Sequence, residues 1–247
     1  HESTDDAYVN GNVVEITPLV AGTVISIGAD DGDLVHAGQV LLQFDPADSE
    51  VALQSAEAKL ARSVRQVRGL YSNVDSLKAQ LETRQAELRK AQQDFNRRKV
   101  LADSGAIAAE ELSHARDDLS VAQAAVNSAR QQLSTSSALV DDTVVSSHPD
   151  VMAAAADLRQ AYLDHARTTL VAPVTGYVAK RTVQLGQRLQ PGTATMAVIP
   201  LDQVWIDANF KETQLREMRI GQPVTVEADL YGDDVTYQGH VESLGVG

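Results

Sequence analysis

The sequence predicts an elongated α+β molecule. We expect a long antiparallel α-helical coiled-coil hairpin inserted between the two halves of a small β-sandwich, together with a partial antiparallel β-barrel. Three observations carry this prediction: a strand-and-turn pattern that occurs twice, a long heptad repeat between the two copies, and alternating strand patterns near both ends of the chain.

Composition excludes several classes of protein. The 247 residues are 43% hydrophobic but only 4% aromatic, which favours long helices over a wide globular core. The net charge of -13 disfavours binding to nucleic acid. Cysteine is absent, so disulfides, thiolate chemistry and cysteine-ligated metals are excluded. No run of about 20 apolar residues is present that could cross a bilayer.

The repeated pattern occupies residues 20–48 and returns 154 positions later. Seven of 29 aligned positions are identical: Val20/Val174, Gly22/Gly176, Val24/Val178, Gly32/Gly186, Gly38/Gly192, Pro46/Pro200 and Asp48/Asp202. Two unrelated β-segments with common turn residues would match less often. Glycine accepts positive φ, so glycines at fixed spacing predict the same tight turns in both copies. Each copy, residues 17–48 and 168–202, is too small to bury a core alone, and the two are expected to pack face to face.

Residues 49–167 carry two heptad seams, which predict two long helices. The first seam contains Leu53, Ala56, Leu60, Val67, Leu70, Val74, Leu77, Leu81, Leu88, Ala91 and Phe95. The second contains Leu112, Ala115, Leu119, Ala122, Val126, Ala129, Leu133 and Val140. Residues 49–101 carry a net charge of +5 and residues 102–167 one of -6, which favours antiparallel pairing within one chain. At ~1.5 Å per residue the first helix is roughly 80 Å long.

The second helix contains an interruption at Asp141–Asp150, "DDTVVSSHPD". Its β-branched residues, paired serines and proline predict a stop, with a restart at Pro149 or Asp150. The heptad repeat of the first helix continues without interruption opposite this segment, so only the second side of the hairpin is expected to be irregular.

Strand patterns flank the sandwich on both sides. Residues 203–247 predict a strand at Val204–Phe210, a short helical turn at "KETQLREM", and two strands joined through Tyr231–Asp234. Residues 1–16 predict an N-terminal strand of the same partial barrel. Both ends look like cuts in a longer protein.

These patterns together resemble two known groups of proteins. The paired half-sandwiches are similar to the biotinyl and lipoyl carrier fold, but the junction after "LLQFDPAD" lacks the lysine that carriers modify; a carrier protein is the less favoured alternative. The nested order of barrel, half-sandwich, helix, helix, half-sandwich and barrel resembles the periplasmic adaptor, or membrane fusion protein, family. The segments "TDDAYV", "NRR", "IDANFKETQ", "MRIGQPV" and "YGDDV" look like its EmrA-type branch.

The resemblance implies a role and a set of partners. Such a protein would link an inner-membrane major-facilitator drug/proton antiporter, EmrB-like, to a TolC-like outer-membrane channel. It would lie in the periplasm, anchored by an N-terminal transmembrane helix before His1, and would self-associate as trimers or hexamers. An adaptor of a type I secretion system or ABC exporter is the alternative. Contact with the exported drug is left open.

The resemblance also implies a docking site at the hairpin tip, about residues 102–108. Related adaptors carry an arginine, a leucine four residues later and a serine seven residues beyond that, used in docking to the outer-membrane partner. Arg97 and Leu101 match the first two positions, and Ala108 stands at the serine position. The candidate docking residues are Arg97, Arg98, Leu101, Gly105, Ile107 and Ala108. The alternative is structural: cations near a helix C-terminus, with Gly105 reversing the chain.

No enzymatic, cofactor or metal site is predicted. The six histidines, His1, His36, His114, His148, His165 and His240, lack the spacing of metal ligands. The acidic turn of Asp30, Asp31 and Asp33 lacks the length and glutamate of a calcium loop and is expected to be a solvated hairpin loop.

Overall fold

The computed structural model describes residues 2–216, 218–228 and 235–245. The strands are β1 Ala7–Gly11, β2 Val14–Ile16, β3 Gly22–Ile27, β4 Leu34–Val35, β5 Val40–Phe44, β6 Thr169–Val171, β7 Gly176–Ala179, β8 Arg188–Leu189, β9 Met196–Ile199, β10 Val204–Ala208, β11 Pro223–Glu227 and β12 Thr236–His240. The helices are α1 Ala47–Asp103, α2 Ala109–Ser137, α3 Pro149–Ala166 and α4 Glu212–Leu215. The mixed fold class that the sequence predicts, with a long helical hairpin, is confirmed.

The sandwich consists of two four-stranded antiparallel sheets with the orders β2-β9-β7-β4 and β6-β5-β3-β8. Adding 154 to the positions of β2, β3, β4 and β5 leads to β6, β7, β8 and β9, so the internal repeat relates one sheet to the other. Each sheet takes its edge strands from one copy and its central pair from the other. The copies are therefore interlocked, a closer association than two strand-turn-strand units laid face to face.

The repeated glycines make the same turns in both copies, as the sequence predicts. Gly32 and Gly186 have φ of 87° and 77°. The Gly32 N–H donates to the Val178 carbonyl at 2.9 Å, and the Gly186 N–H donates to the Val24 carbonyl at 2.8 Å. Because Val24 and Val178 are themselves a repeat pair, each turn is fastened to the central strand of the opposite copy.

The sandwich has one apolar core to which both copies contribute. Its buried members are Ile16, Val24, Ala29, Val35, Leu41, Leu42, Phe44, Leu170, Ala172, Val178, Val183, Leu189, Met196 and Val198. The chain leaves this core after Phe44 and returns at Thr169, so both helices at the base of the hairpin are rooted in it.

The hairpin is formed by α1 on one side and by α2 and α3 on the other. Every residue of the predicted first seam is buried or half-buried along the 57 residues of α1, which at ~1.5 Å per residue is about 85 Å long. In α2, Ala115, Val126 and Ala129 are buried, and the small alanines permit close approach. The seam predicted from the heptads is confirmed.

Only the second side of the hairpin is interrupted, as predicted. α2 ends at Ser137, a 3-10 turn covers Val145–Ser147, and α3 begins with Pro149 in its first turn. We call residues 138–148 the joint. α1 passes it as an uninterrupted helix.

Ion pairs across the hairpin are fewer than the opposite charges of the two sides suggest. Within the described hairpin, Lys59 of α1 and Asp157 of α3 form the one cross-helix pair. The other pairs lie within single helices or at the start of α3, for example Arg84 with Glu87 at 2.9 Å. Specific pairing therefore depends mainly on the apolar seam.

The β-rich end differs from the sequence prediction in one respect. β1 pairs with β10 and β11 pairs with β12, both antiparallel, and α4 lies between β10 and β11 in sequence. Val14–Ile16, assigned from sequence to the barrel strand of residues 1–16, pairs instead with β9 in the sandwich. The strand pattern breaks between Gly11 and Val14, and the chain passes there from one sheet to the other. The predicted turn at Tyr231–Asp234 falls in a part of the chain outside the described residues.

Candidate docking site at the hairpin tip

The end of α1 is closed by a Schellman motif. The Ala106 N–H donates to the Leu101 carbonyl and the Gly105 N–H donates to the Ala102 carbonyl, both at 2.9 Å. Gly105 has φ of 74°, a left-handed conformation that favours glycine. The Ser104 hydroxyl also donates to the Leu101 carbonyl, at 2.8 Å. These bonds fix the direction of the reversal and hold Leu101 at a set position.

Arg97 and Arg98 are both held by Asp94. Arg97 Nη2 forms an ion pair with Asp94 Oδ1, and Arg98 Nε pairs with Asp94 Oδ2 at 2.9 Å. The hydrogen bond from Arg97 is the main reason that the pKa of Asp94 lies below its usual value, and the charges of Arg98 and Arg97 act in the same direction. Asp94 was not singled out in the sequence, although acidic residues three and four positions before arginines are a known helix pairing pattern.

The arginines do not lie at the end of the helix. α1 continues to Asp103, and its last turn contains no basic residue. The favourable interaction of a cation with the helix dipole fades within the last turn, so it does not account for Arg97 and Arg98. The Arg97 side chain is 72% exposed, and its remaining donors are available at the surface.

An apolar surface lies one helical turn from Arg97. Leu101 is 40% exposed, its neighbour Val100 is more exposed, and Ile107 is half-buried on the other side of the reversal. Arg97 and Leu101 share a face because they are four residues apart in a helix. Val100 is a tip residue that the sequence analysis missed.

Ala108 begins α2 without any side-chain cap. Its backbone is extended, with φ of -70° and ψ of 149°, and its side chain offers nothing to the free N–H groups of the first turn. Glu110 and Glu111 in that turn place negative charge near the positive end of the helix. Ala108 is exposed, so a larger side chain there would face solvent.

His148, His165 and the acidic turn take structural positions. His148 is buried in the joint, and His165 Nδ1 lies 2.9 Å from the Ser49 hydroxyl at the base of the hairpin. Asp30 accepts a hydrogen bond from Arg181 Nε at 2.7 Å, which lowers its pKa. Across residues 2–216, 218–228 and 235–245, no three or more carboxylates and imidazoles converge on a metal position.

Within these same described residues, no helix combines the length and the apolar character that a bilayer crossing needs.

Comparison with known proteins assigns the chain to a family. Residues 47–168 match the family model described as "EMRA, alpha-helical hairpin domain". The multidrug export protein EmrA of Escherichia coli K12 is 46% identical over 246 residues, covering 100% of this chain and 63% of that protein. The colistin resistance protein EmrA of Acinetobacter baumannii is 30% identical, covering 99% of this chain and 72% of that protein.

A solved structure shows the same fold. The structure titled "Structure of the periplasmic adaptor protein EmrA" superposes with a TM-score of 0.53 at 21% identity, covering 97% of this chain and 87% of that chain. The chain spans slightly less than two thirds of the Escherichia coli relative. On the match of its hairpin and on the sequence identities, this chain belongs to the EmrA family.

Proposed function

We propose that this chain is the periplasmic adaptor part of a tripartite multidrug efflux pump. It links an inner-membrane drug/proton antiporter of the major facilitator type to a TolC-like channel in the outer membrane. The single observation that carries the proposal is the hairpin, a 57-residue helix rooted in a β-sandwich and ending in an exposed tip. A rod of this kind supplies reach between two membranes and needs no chemistry of its own.

The tip is the proposed contact with the outer-membrane channel. Arg97 is held in one orientation by Asp94, so less side-chain entropy is lost when it binds a partner. Leu101 lies beside it as an apolar anchor. A cation next to an apolar side chain suits an acidic, grooved helical surface, where charge directs the approach and apolar burial contributes affinity.

Leu101→Asp tests the docking site in the full-length protein. We expect loss of drug resistance, because the carboxylate would have to be desolvated in the contact, while the hairpin still folds because the side chain is exposed. Val121→Asp is the matched control, since Val121 is a 70% exposed valine on α2 away from the tip, and it should retain resistance. The measurement is drug resistance in a host lacking its own adaptor, with expression and helical content checked for each variant.

Two further substitutions at the tip should reduce drug resistance less than Leu101→Asp does. Arg97→Glu should reduce resistance less than Leu101→Asp, because an exposed charge is partly screened by salt. Ala108→Ser restores both a helix cap and a hydroxyl and should keep full resistance. Full resistance with a folded Leu101→Asp protein would remove the tip from the proposal and leave the fold alone.

The inner-membrane partner and self-association need a separate experiment. We expect the full-length adaptor to copurify with a major-facilitator transporter and a channel protein from its native host, as a trimer or hexamer. Light scattering on the purified assembly gives the subunit number. Copurification with an ABC transporter instead would identify the secretion-type adaptor.

A further inference from the structure

At one level along the hairpin, both of its sides contain residues that disfavour a continuous helix. The Tyr71 hydroxyl of α1 lies 2.9 Å from the Thr143 hydroxyl, which places the joint opposite this part of α1. Gly69, the one glycine in α1, lies two residues away. A break on one side and a glycine on the other therefore coincide.

Packing does not explain Gly69. A Cβ added there would meet no heavy atom within 4 Å, and its φ is not positive. Glycine in a helix interior weakens the helix because it has more conformational freedom to lose on folding. The consequence left for Gly69 is a softer α1 at the level of the joint.

A small set of polar contacts holds the joint closed. The Thr143 hydroxyl donates to the Val140 carbonyl at 2.8 Å and is therefore the acceptor for Tyr71. His148 is buried, with Nε2 lying 3.0 Å from the Leu139 carbonyl and Nδ1 accepting from the Asp150 N–H at 3.3 Å. Because a carbonyl oxygen only accepts and a backbone N–H only donates, Nε2 is the donor and Nδ1 the acceptor in these two hydrogen bonds.

The joint also contains spare chain length. Asn73 contacts Ser136 at 3.3 Å on the tip side of the joint, and Ser49 contacts His165 at 2.9 Å near the base. Between these two contacts the second side uses more residues than α1 does. The surplus lies in residues 138–148, where it permits a change of length without unwinding α2 or α3.

We propose that Gly69 and the joint form a hinge, at which the distal hairpin bends relative to its base. Contacts of Tyr71 and His148 hold the closed state shown here. About 34 residues separate Gly69 from the end of α1, or roughly 50 Å, so a bend of about 10° moves the tip by about 9 Å. The hinge lets the tip change direction while the sandwich stays in place. It does not depend on the proposed function, because it is a property of the isolated chain.

Spin-label distances on the isolated chain test the hinge, and the absence of cysteine makes paired labelling free of background. One label pair spans the joint on the second side, at the exposed positions Ser128 and Ala153. The reference pair is on α1, wholly on the tip side of Gly69 and over a similar length, at the exposed positions Ser72 and Asn96. We expect the distance distribution across the joint to be about twice as wide as that along α1.

Two substitutions should change that width in opposite directions. Gly69→Ala stiffens α1 and should narrow the distribution across the joint, and Tyr71→Phe removes the contact with Thr143 and should widen it. Thr83→Ala, which also raises helix propensity in α1 but lies toward the tip, and Tyr162→Phe, at an exposed tyrosine of α3, are the matched controls and should leave it unchanged.

Two results would overturn the hinge. Equal widths for the two label pairs in the unmodified chain would show that the joint is rigid. A wide distribution across the joint that does not respond to Gly69→Ala would show local loosening of residues 138–148 without bending of α1.

Discussion

The two sides of the hairpin bury the same kind of apolar seam but differ in continuity. α1 is a single helix of 57 residues, whereas the other side is divided into helices of 29 and 18 residues. The seam continues through the division, because Val140 within the joint and Val151 in the first turn of α3 are both buried. Pairing therefore follows the heptad pattern, whereas helix continuity follows local stop signals such as β-branched residues and Pro149.

The largest effect that this comparison predicts is the loss of a seam residue in α1. Val67 has no exposed surface, and Val67→Asp would bury a carboxylate without a partner. We expect the free energy of unfolding to fall by at least about 3 kcal/mol. Gln66→Asp introduces the same group at the neighbouring exposed position and is the control. Urea unfolding followed by circular dichroism at 222 nm measures both, and equal losses would mean that the seam does not determine pairing.

Glycine should have opposite effects on the two sides, stabilising the joint at position 142 and destabilising α1 at position 69, which sharpens the comparison. Asp142 in the joint has φ of 57°, where glycine is less strained, so Asp142→Gly should stabilise the chain by up to about 1 kcal/mol. In α1, the interior glycine is the unfavourable residue, so Gly69→Ala should stabilise by roughly 0.5–1 kcal/mol. Thermal unfolding of each variant gives the sign and size.

Asp141→Gly is the control for the joint, because Asp141 does not have positive φ and should lose stability on the same change. A loss of stability in Asp142→Gly as large as that in Asp141→Gly would contradict the strain argument. A loss in Gly69→Ala would mean that α1 requires glycine for a reason other than softness.

The sequence predicts those features of the fold that have a local cause. Heptads identify the seam because one helical face must be apolar, and the paired glycines identify turns because positive φ requires them. The exchange of strands between the two copies could not be predicted, since a repeat shows which segments are equivalent but not which ones pair. A signal for β2 was nevertheless present: extending the repeat by the same offset places Val14–Ile16 opposite residues 168–170, next to the base of the hairpin.

The tip was predicted only in part. Arg97 and Leu101 lie on one exposed face, as their spacing implies, but their role in docking stays a prediction. The ion pairs of Asp94 with Arg97 and Arg98 could have been predicted, because the arginines follow the aspartate by three and four residues in a helix. The sequence alone did not indicate a role for Gly69. Its position opposite the joint is known only from the contact between Tyr71 and Thr143 in the structure.

The smallest predicted effect concerns how the charge of α1 is balanced at the tip. Asp94 is neutralised by arginines of its own helix, not by the second side, and its pKa is lowered mainly by the hydrogen bond from Arg97. An aspartate whose pKa is lowered by folding favours the folded state above its ordinary pKa, and that contribution is lost as the pH falls through the lowered value. Near neutral pH the ion pairs are fully formed, so no pH dependence is expected there.

Carboxyl titration by NMR should show that Arg97→Gln raises the pKa of Asp94 more than Arg98→Gln does. Lys99→Gln is the control and should leave the pKa of Asp94 unchanged. If all three substitutions had the same effect, the pKa of Asp94 would reflect the general positive charge of α1, and Arg97 would not be the residue that Asp94 orients.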